Sequence, residues 1–148
     1  MGALSAALGR TVYFDTNIFI FAVEGLAEVE TQIKSLLDAL AAREITVVTS
    51  ELTLAEVLVK PLRDGNTALQ ETYGRLLHAT AVFQLIPIQR DILRAAAVLR
   101  ATTKLKLPDA IHLATSDFTA CDSFLTGDLS FRSTRATNIK ILSELDFG

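Results

Sequence analysis

Four acidic residues, far apart in the 148-residue chain, have surroundings that could bring their carboxylates together: Asp15, Glu56, Asp109 and Asp128. Asp15 follows the strand-forming run Val12-Tyr13-Phe14 and opens the polar triplet Asp15-Thr16-Asn17, which leads into a second apolar run from Ile18 to Val23. A carboxylate placed between a strand and a helix lies at the rim of a sheet, where open α/β folds bind ligands. Asp128 takes the equivalent place after the run Ser123 to Thr126. Glu56 and Asp109 fall near the starts of two helices that a parallel sheet would bring to the same rim. Two unit charges about 4 Å apart repel by roughly 4 kcal/mol at an effective dielectric near 20, so such a cluster needs protons or a cation. Oxygen ligands without a paired His or Cys suit Mg²⁺ or Mn²⁺ rather than zinc or copper. A cation of that kind favours phosphate-bearing partners and can activate water for attack on a phosphoryl group.

Each acid also has a plainer explanation. Asp15 or Thr16 can cap the helix that follows. Glu56 can pair with Lys60 one turn on. Asp109 suits the first turn of a helix after Leu107-Pro108, and Gly127-Asp128 reads as a turn. Neighbouring bases (Lys60, Arg63, Lys104, Lys106, Arg132, Arg135) would serve phosphate contacts, although bases beside acids occur on any solvated face.

The elements that must carry these residues alternate. Strands are expected at Val12–Phe14, Ile45–Val48, Val82–Ile88, Ser123–Thr126 and Ile139–Leu142. Between them fall helical segments at Leu26–Ala42, from Glu51, at Thr67–Thr80, at Asp91–Thr103 and from Leu107. The helix from Glu51 has two apolar faces and should be largely buried, with Thr53, Glu56 and Lys60 as its polar strip and Pro61 ending or kinking it. Pro87 marks an edge or terminal position in its strand. Asp109, His112 and Ser116 share a strip of their helix opposite Ala110, Ile111, Ala114 and Phe118. That alignment does not converge as a nucleophilic triad must, and His112 is expected on the surface or behind the acids. Strands alternating with helices predict an α/β fold with a mainly parallel sheet of four to five strands.

Composition sets the outer bounds. Apolar residues make up 50% and charged residues 21%, as in a folded core rather than a disordered chain. The size suits a single domain over residues 11–148, with residues 1–10 a flexible leader. Apolar runs are far shorter than the roughly 20 residues a membrane helix needs. The single cysteine, Cys121, excludes an internal disulfide and a cysteine-based zinc site and suggests a cytoplasmic setting. A net charge of −3 provides no global basic field for nucleic acid. The mean hydropathy of +0.37 suggests apolar surface left over for association.

The segments FDTN, SELTLAEVLVKPLR, KLPDAIHLATS and FLTGDLSF, in that order and spacing, together resemble the PIN-domain family, especially its VapC-type toxins. The likeness runs from about Thr11 to the C-terminus. It implies a three-layer α/β/α metal-dependent endoribonuclease, usually dimeric and inhibited by a cognate antitoxin. Carried over by motif, the metal-binding and catalytic acids would be Asp15, Glu56, Asp109 and Asp128, using Mg²⁺ or Mn²⁺, with Asn17 and Thr126 in support. Many relatives have a further acid two residues after the last one, where this chain has Ser130, which leaves the number of metals open. Two other readings compete: a PIN-like scaffold or binding subunit without productive metal binding, and an aspartyl-phosphate phosphohydrolase. The latter normally needs a second Asp where this chain has Asn17.

Overall fold

The computed structural model describes residues 3–134 and 138–146. Five parallel strands form one sheet: β1 (Thr11–Phe14), β2 (Thr46–Ser50), β3 (Phe83–Ile86), β4 (Ser123–Thr126) and β5 (Ile139–Ile141), in the order β3-β2-β1-β4-β5. The expected α/β/α layering is present. Among the described residues seven α-helices accompany the sheet: α1 (Ala3–Leu8), α2 (Thr16–Glu24), α3 (Glu30–Ala41), α4 (Leu52–Arg63), α5 (Thr67–Leu76), α6 (Arg90–Thr102) and α7 (Leu107–Phe118). Side chains alternate across the central strands, as the pleat requires. Val12, Phe14, Val47 and Leu125 face a core with Leu8, Ile18, Phe19, Leu36, Val57 and Tyr73. Tyr13, Val48 and Phe124 face a second core with Ile92, Ala96, Leu113 and Phe131. Helices α1 to α5 therefore cover one face, and α6 and α7 the other.

This strand order puts the topological switch between β1 and β4 (at the strand from which the chain winds both ways), where open α/β sheets leave a crevice beyond the carboxyl ends. Asp15 directly follows β1, and Gly127-Asp128 directly follows β4. Register fixes the pair of ends together: Phe14 lies opposite Leu125, and the Asp15 N–H donates to the Leu125 carbonyl at 2.9 Å.

Three local expectations change. Helix α4 runs two residues beyond Pro61 rather than stopping there, and the Pro61 carbonyl accepts from the Asn66 N–H at 2.9 Å. That helix is not largely buried: Val59 is 51% and Leu62 60% exposed, while Thr53, Val57 and Pro61 are buried and Leu52, Leu54 and Leu58 pack inward only in part. The stretch expected to be a loose leader holds α1, whose Leu4 and Leu8 are buried in the core against the α2–α5 side. Their i, i+4 spacing puts both on one helical face. The Ser123 hydroxyl also donates to the Leu8 carbonyl at 2.5 Å, tying α1 to the start of β4. Leu8→Ala is therefore expected to cost about 2–4 kcal/mol of folding stability in urea denaturation; a change under about 0.5 kcal/mol would mean that α1 does not pack in solution.

Candidate active site

Asp15 is 3% exposed. The cap reading of this residue holds. It is the N-cap of α2, with Oδ1 accepting from the Thr16 N–H at 2.9 Å. Its Oδ2 accepts from the Thr126 hydroxyl at 2.7 Å and from Asn17 Nδ2 at 3.4 Å. The Thr126 hydroxyl in turn accepts the Asp128 N–H at 3.0 Å, and Asn17 Oδ1 accepts the Gly127 N–H at 2.9 Å. Asn17 and Thr126 thus clamp the loop after β4 onto the end of β1. Gly127 suits this clamp, since a Cβ there would come within 2.5 Å of the Phe21 ring. Asp128, half-buried, caps a short 3-10 turn by accepting the Ser130 N–H at 2.8 Å.

Glu56 does not pair with Lys60, which instead meets Asp64 at 3.2 Å. Its Oε1 lies 2.5 Å from His112 Nε2 and accepts from the Thr16 hydroxyl at 2.8 Å. The surface option for His112 is wrong: it is 1% exposed, with Ala110 through Ser116 all buried between the sheet and α6. Its Nδ1 lies 2.6 Å from the Tyr13 hydroxyl. Thr53, Thr49 and Thr16 form a buried hydroxyl row beneath Glu56. Sequence reading did not assign Tyr13, Thr16, Thr49 or Thr53 to the site. The available signal was the i, i+3 placement of Thr53 and Glu56 on the strip that faces Asp15-Thr16-Asn17.

The charges interact as one group. Burial raises the Asp15 carboxyl above its ordinary range, and Glu56 adds to that, against the lowering influence of His112, Thr126 and Thr16. Burial pushes Glu56 up, but hydrogen bonding and charge from His112 and the Thr16 hydroxyl outweigh it and leave Glu56 lowered. Asp109 is raised from 3.8 to about 6, first by burial and then by the charges of Asp15 and Asp128, with a smaller rise from Glu56. The fields of Asp15, Glu56 and Asp128 therefore all reach Asp109. Among the described residues, however, no group of three or more His, Cys, Asp or Glu side chains is drawn together tightly enough to form a ready-made ion cage. All-oxygen donors with excess negative charge match a hard divalent cation. By charge and donor type the acids fit Mg²⁺ or Mn²⁺. Of the nearby bases, Arg132 is paired with Glu144, and Arg135 lies outside the described residues. Arg63, Lys104 and Lys106 are exposed and make no ion pair among the described residues.

The raised Asp109 carboxyl fixes a sign for stability. Below the unfolded value of 3.8 the group is protonated in both states; as pH rises through about 6 the fold must carry its charge, and stability is lost. With chelator present at about pH 8, Asp109→Asn is expected to stabilise the chain by about 1 kcal/mol, the shift being discounted for water at the cleft's open side. The gain should vanish near pH 4. Denaturation curves at both pH values check this, and a variant less stable than the parent at both would contradict it.

The PIN domain profile matches residues 12–136. No curated protein matches the chain. Among solved structures, a Klebsiella pneumoniae toxin-antitoxin complex has a chain 29% identical, with a TM-score of 0.64, covering 90% of this chain and 99% of that one. VapBC2 from Rickettsia felis, bound to a promoter DNA fragment, is 13% identical with a TM-score of 0.69, covering 89% and 98%. VapC20 from Mycobacterium tuberculosis, described as a sarcin-ricin loop cleaving toxin, is 14% identical with a TM-score of 0.66, covering 87% and 98%. With matched residues spanning most of its length and its five parallel strands in place, this chain belongs to the PIN domain family.

Proposed function

We propose that this PIN domain is a metal-dependent endoribonuclease, the toxin component of a toxin-antitoxin pair, acting in the cytoplasm on RNA phosphodiester bonds. The observation that carries this reading is Asp109, whose carboxyl is raised to about 6 at the switch-point rim partly by three other acids. Above that pH a proton no longer relieves the repulsion, and a bound cation would. The similarity to a toxin-antitoxin chain at 29% identity supports the biological role. Among the described residues no helix is long and apolar enough to cross a membrane, which accords with the proposed setting.

In this reading Asp15 and Asp109 would hold Mg²⁺ or Mn²⁺, and Asp128 would complete the shell directly or through water. The bound ion would lower the pKa of a coordinated water and stabilise charge on the phosphoryl group. Glu56 Oε1 is occupied by His112 and Thr16, while Oε2 takes no hydrogen bond from the described residues. Oε2 is therefore the atom placed to orient or deprotonate water. Asn17 and Thr126 keep Asp15 and the Asp128 loop in register. Lys106 and Arg63 would contact phosphates without reading sequence.

For the partner protein, an apolar groove of about 620 Å³ lined by Phe21, Leu26, Ile33 and Leu37 suits an antitoxin helix. The exposed Val59 and Leu62 suit a second copy of the chain. Light scattering should then give about twice the 16.1 kDa chain mass; a monomer at high concentration removes the dimer.

One observation favours a second reading, a PIN scaffold without productive ion binding: the acids form no ready-made cage. The deciding experiment is RNA cleavage by the parent chain and by Asp15→Asn. The parent should cleave single-stranded RNA with Mn²⁺ and not with chelator. The variant should lose at least about a hundredfold in rate while keeping the parent's circular dichroism. Full activity in the variant would refute the assignment.

A further inference from the structure

His112 is buried and has no task in the reading above, yet its two ring nitrogens face chemically different partners. Nε2 lies 2.5 Å from Glu56 Oε1, and an ionised carboxylate brings no hydrogen, so Nε2 must supply it. Nδ1 lies 2.6 Å from the Tyr13 hydroxyl. That phenol can donate to Nδ1 or accept from it, and either bond fixes the ring plane and with it the place of Nε2 on Glu56.

The hydroxyl row agrees with this assignment. Thr49 donates to the Phe14 carbonyl at 2.9 Å, so the hydrogen in its 2.7 Å contact with Thr53 comes from Thr53. The Thr16 hydroxyl donates to Glu56 Oε1 at 2.8 Å, a closer acceptor than Thr53 at 3.3 Å. Oε1 receives two donors, one from α7 and one from α2, and the carboxyl group cannot turn without breaking both.

The far end of the chain of bonds is rigid. Tyr13 is fully buried in the central strand, and its ring stacks on Phe124 with centroids 5.1 Å apart and planes 7° apart. The bonds Tyr13–His112–Glu56 thus run from the sheet through one helical layer to α4 in the other, across the carboxyl ends of the strands. A histidine kept only for packing would not have its second nitrogen on the single half-exposed acid of α4.

We propose that His112, oriented by Tyr13, is a positioning residue that locks Glu56 Oε1 and so presents Oε2 to the reacting water. This rests on the nuclease reading of Glu56. Three variants separate it from a packing role. Tyr13→Phe removes one oxygen and keeps the stack on Phe124. His112→Gln puts an amide nitrogen where Nε2 stood; His112→Asn puts one where Nδ1 stood and cannot reach Glu56.

The first readout is the ¹⁵N spectrum of the imidazole in metal-free protein, which should show hydrogen on Nε2. The second is kcat and KM on a single-stranded RNA oligonucleotide with Mn²⁺. Tyr13→Phe and His112→Asn should lower kcat by about tenfold to a hundredfold, with KM within about twofold and His112→Gln within about threefold of the parent. A bare Nε2 in the parent, or equal kcat losses in folded Gln and Asn variants, would overturn the proposal. So would parent-like kcat in all three variants while Asp15→Asn is inactive, and the nuclease reading would then survive. No cleavage by the parent chain would overturn both.

Discussion

Burying an ionised carboxylate at the end of a central strand is costly unless donors surround it, and Asp15 sets that condition for the whole molecule. Its three donors come from its own helix and from the neighbouring strand: the Thr16 N–H, the Thr126 hydroxyl and the Asn17 amide. To supply them, β1 and β4 must be adjacent and parallel, α2 must start immediately after β1, and the loop at Gly127 must press against Phe21. The donors lower the cost without removing it, since the carboxyl stays raised by burial. Asp109 then enters a field that is already negative, and the same field raises it in turn. A site held against its own repulsion in this way exchanges stability for function.

The two helical layers make different contributions to the rim. The α2–α5 layer supplies Thr16, Thr53 and Glu56; the α6–α7 layer supplies Asp109 and His112. Contact between the layers is polar because it occurs beyond the sheet, where backbone and side-chain groups must find partners. The short bond between Glu56 and His112 is its closest part, with the Thr16 hydroxyl 3.1 Å from the same His112 nitrogen. Its effect is to convert a flexible three-torsion side chain on α4 into a fixed acceptor.

Much of this was legible in the chain itself. β-Branched and aromatic runs located all five strands, Pro87 follows directly after β3 at the sheet edge, and the four acids emerged from strand ends and helix starts. Periodicity could not say which side of α7 meets α6, because Ala110 to Ser116 are buried on every side of that helix. Nor could it tell that Val59 and Leu62 stay exposed while Thr53 is buried, since hydrophobicity is a poor guide where a polar row underlies a site. Tyr13 reads as an ordinary core aromatic in a strand, and only its hydroxyl, seen in three dimensions, connects it to His112.

The proposed nuclease chemistry requires a divalent cation among Asp15, Asp109 and Asp128. An anomalous difference map from a crystal of this chain soaked in Mn²⁺ tests it most directly. The expected result is a peak contacted by carboxylate oxygens of Asp15 and Asp109, with Asp109 and Asp128 drawn inward from their ion-free positions. Manganese bound elsewhere, with the carboxylates of Asp15 and Asp109 touching no ion, would contradict it.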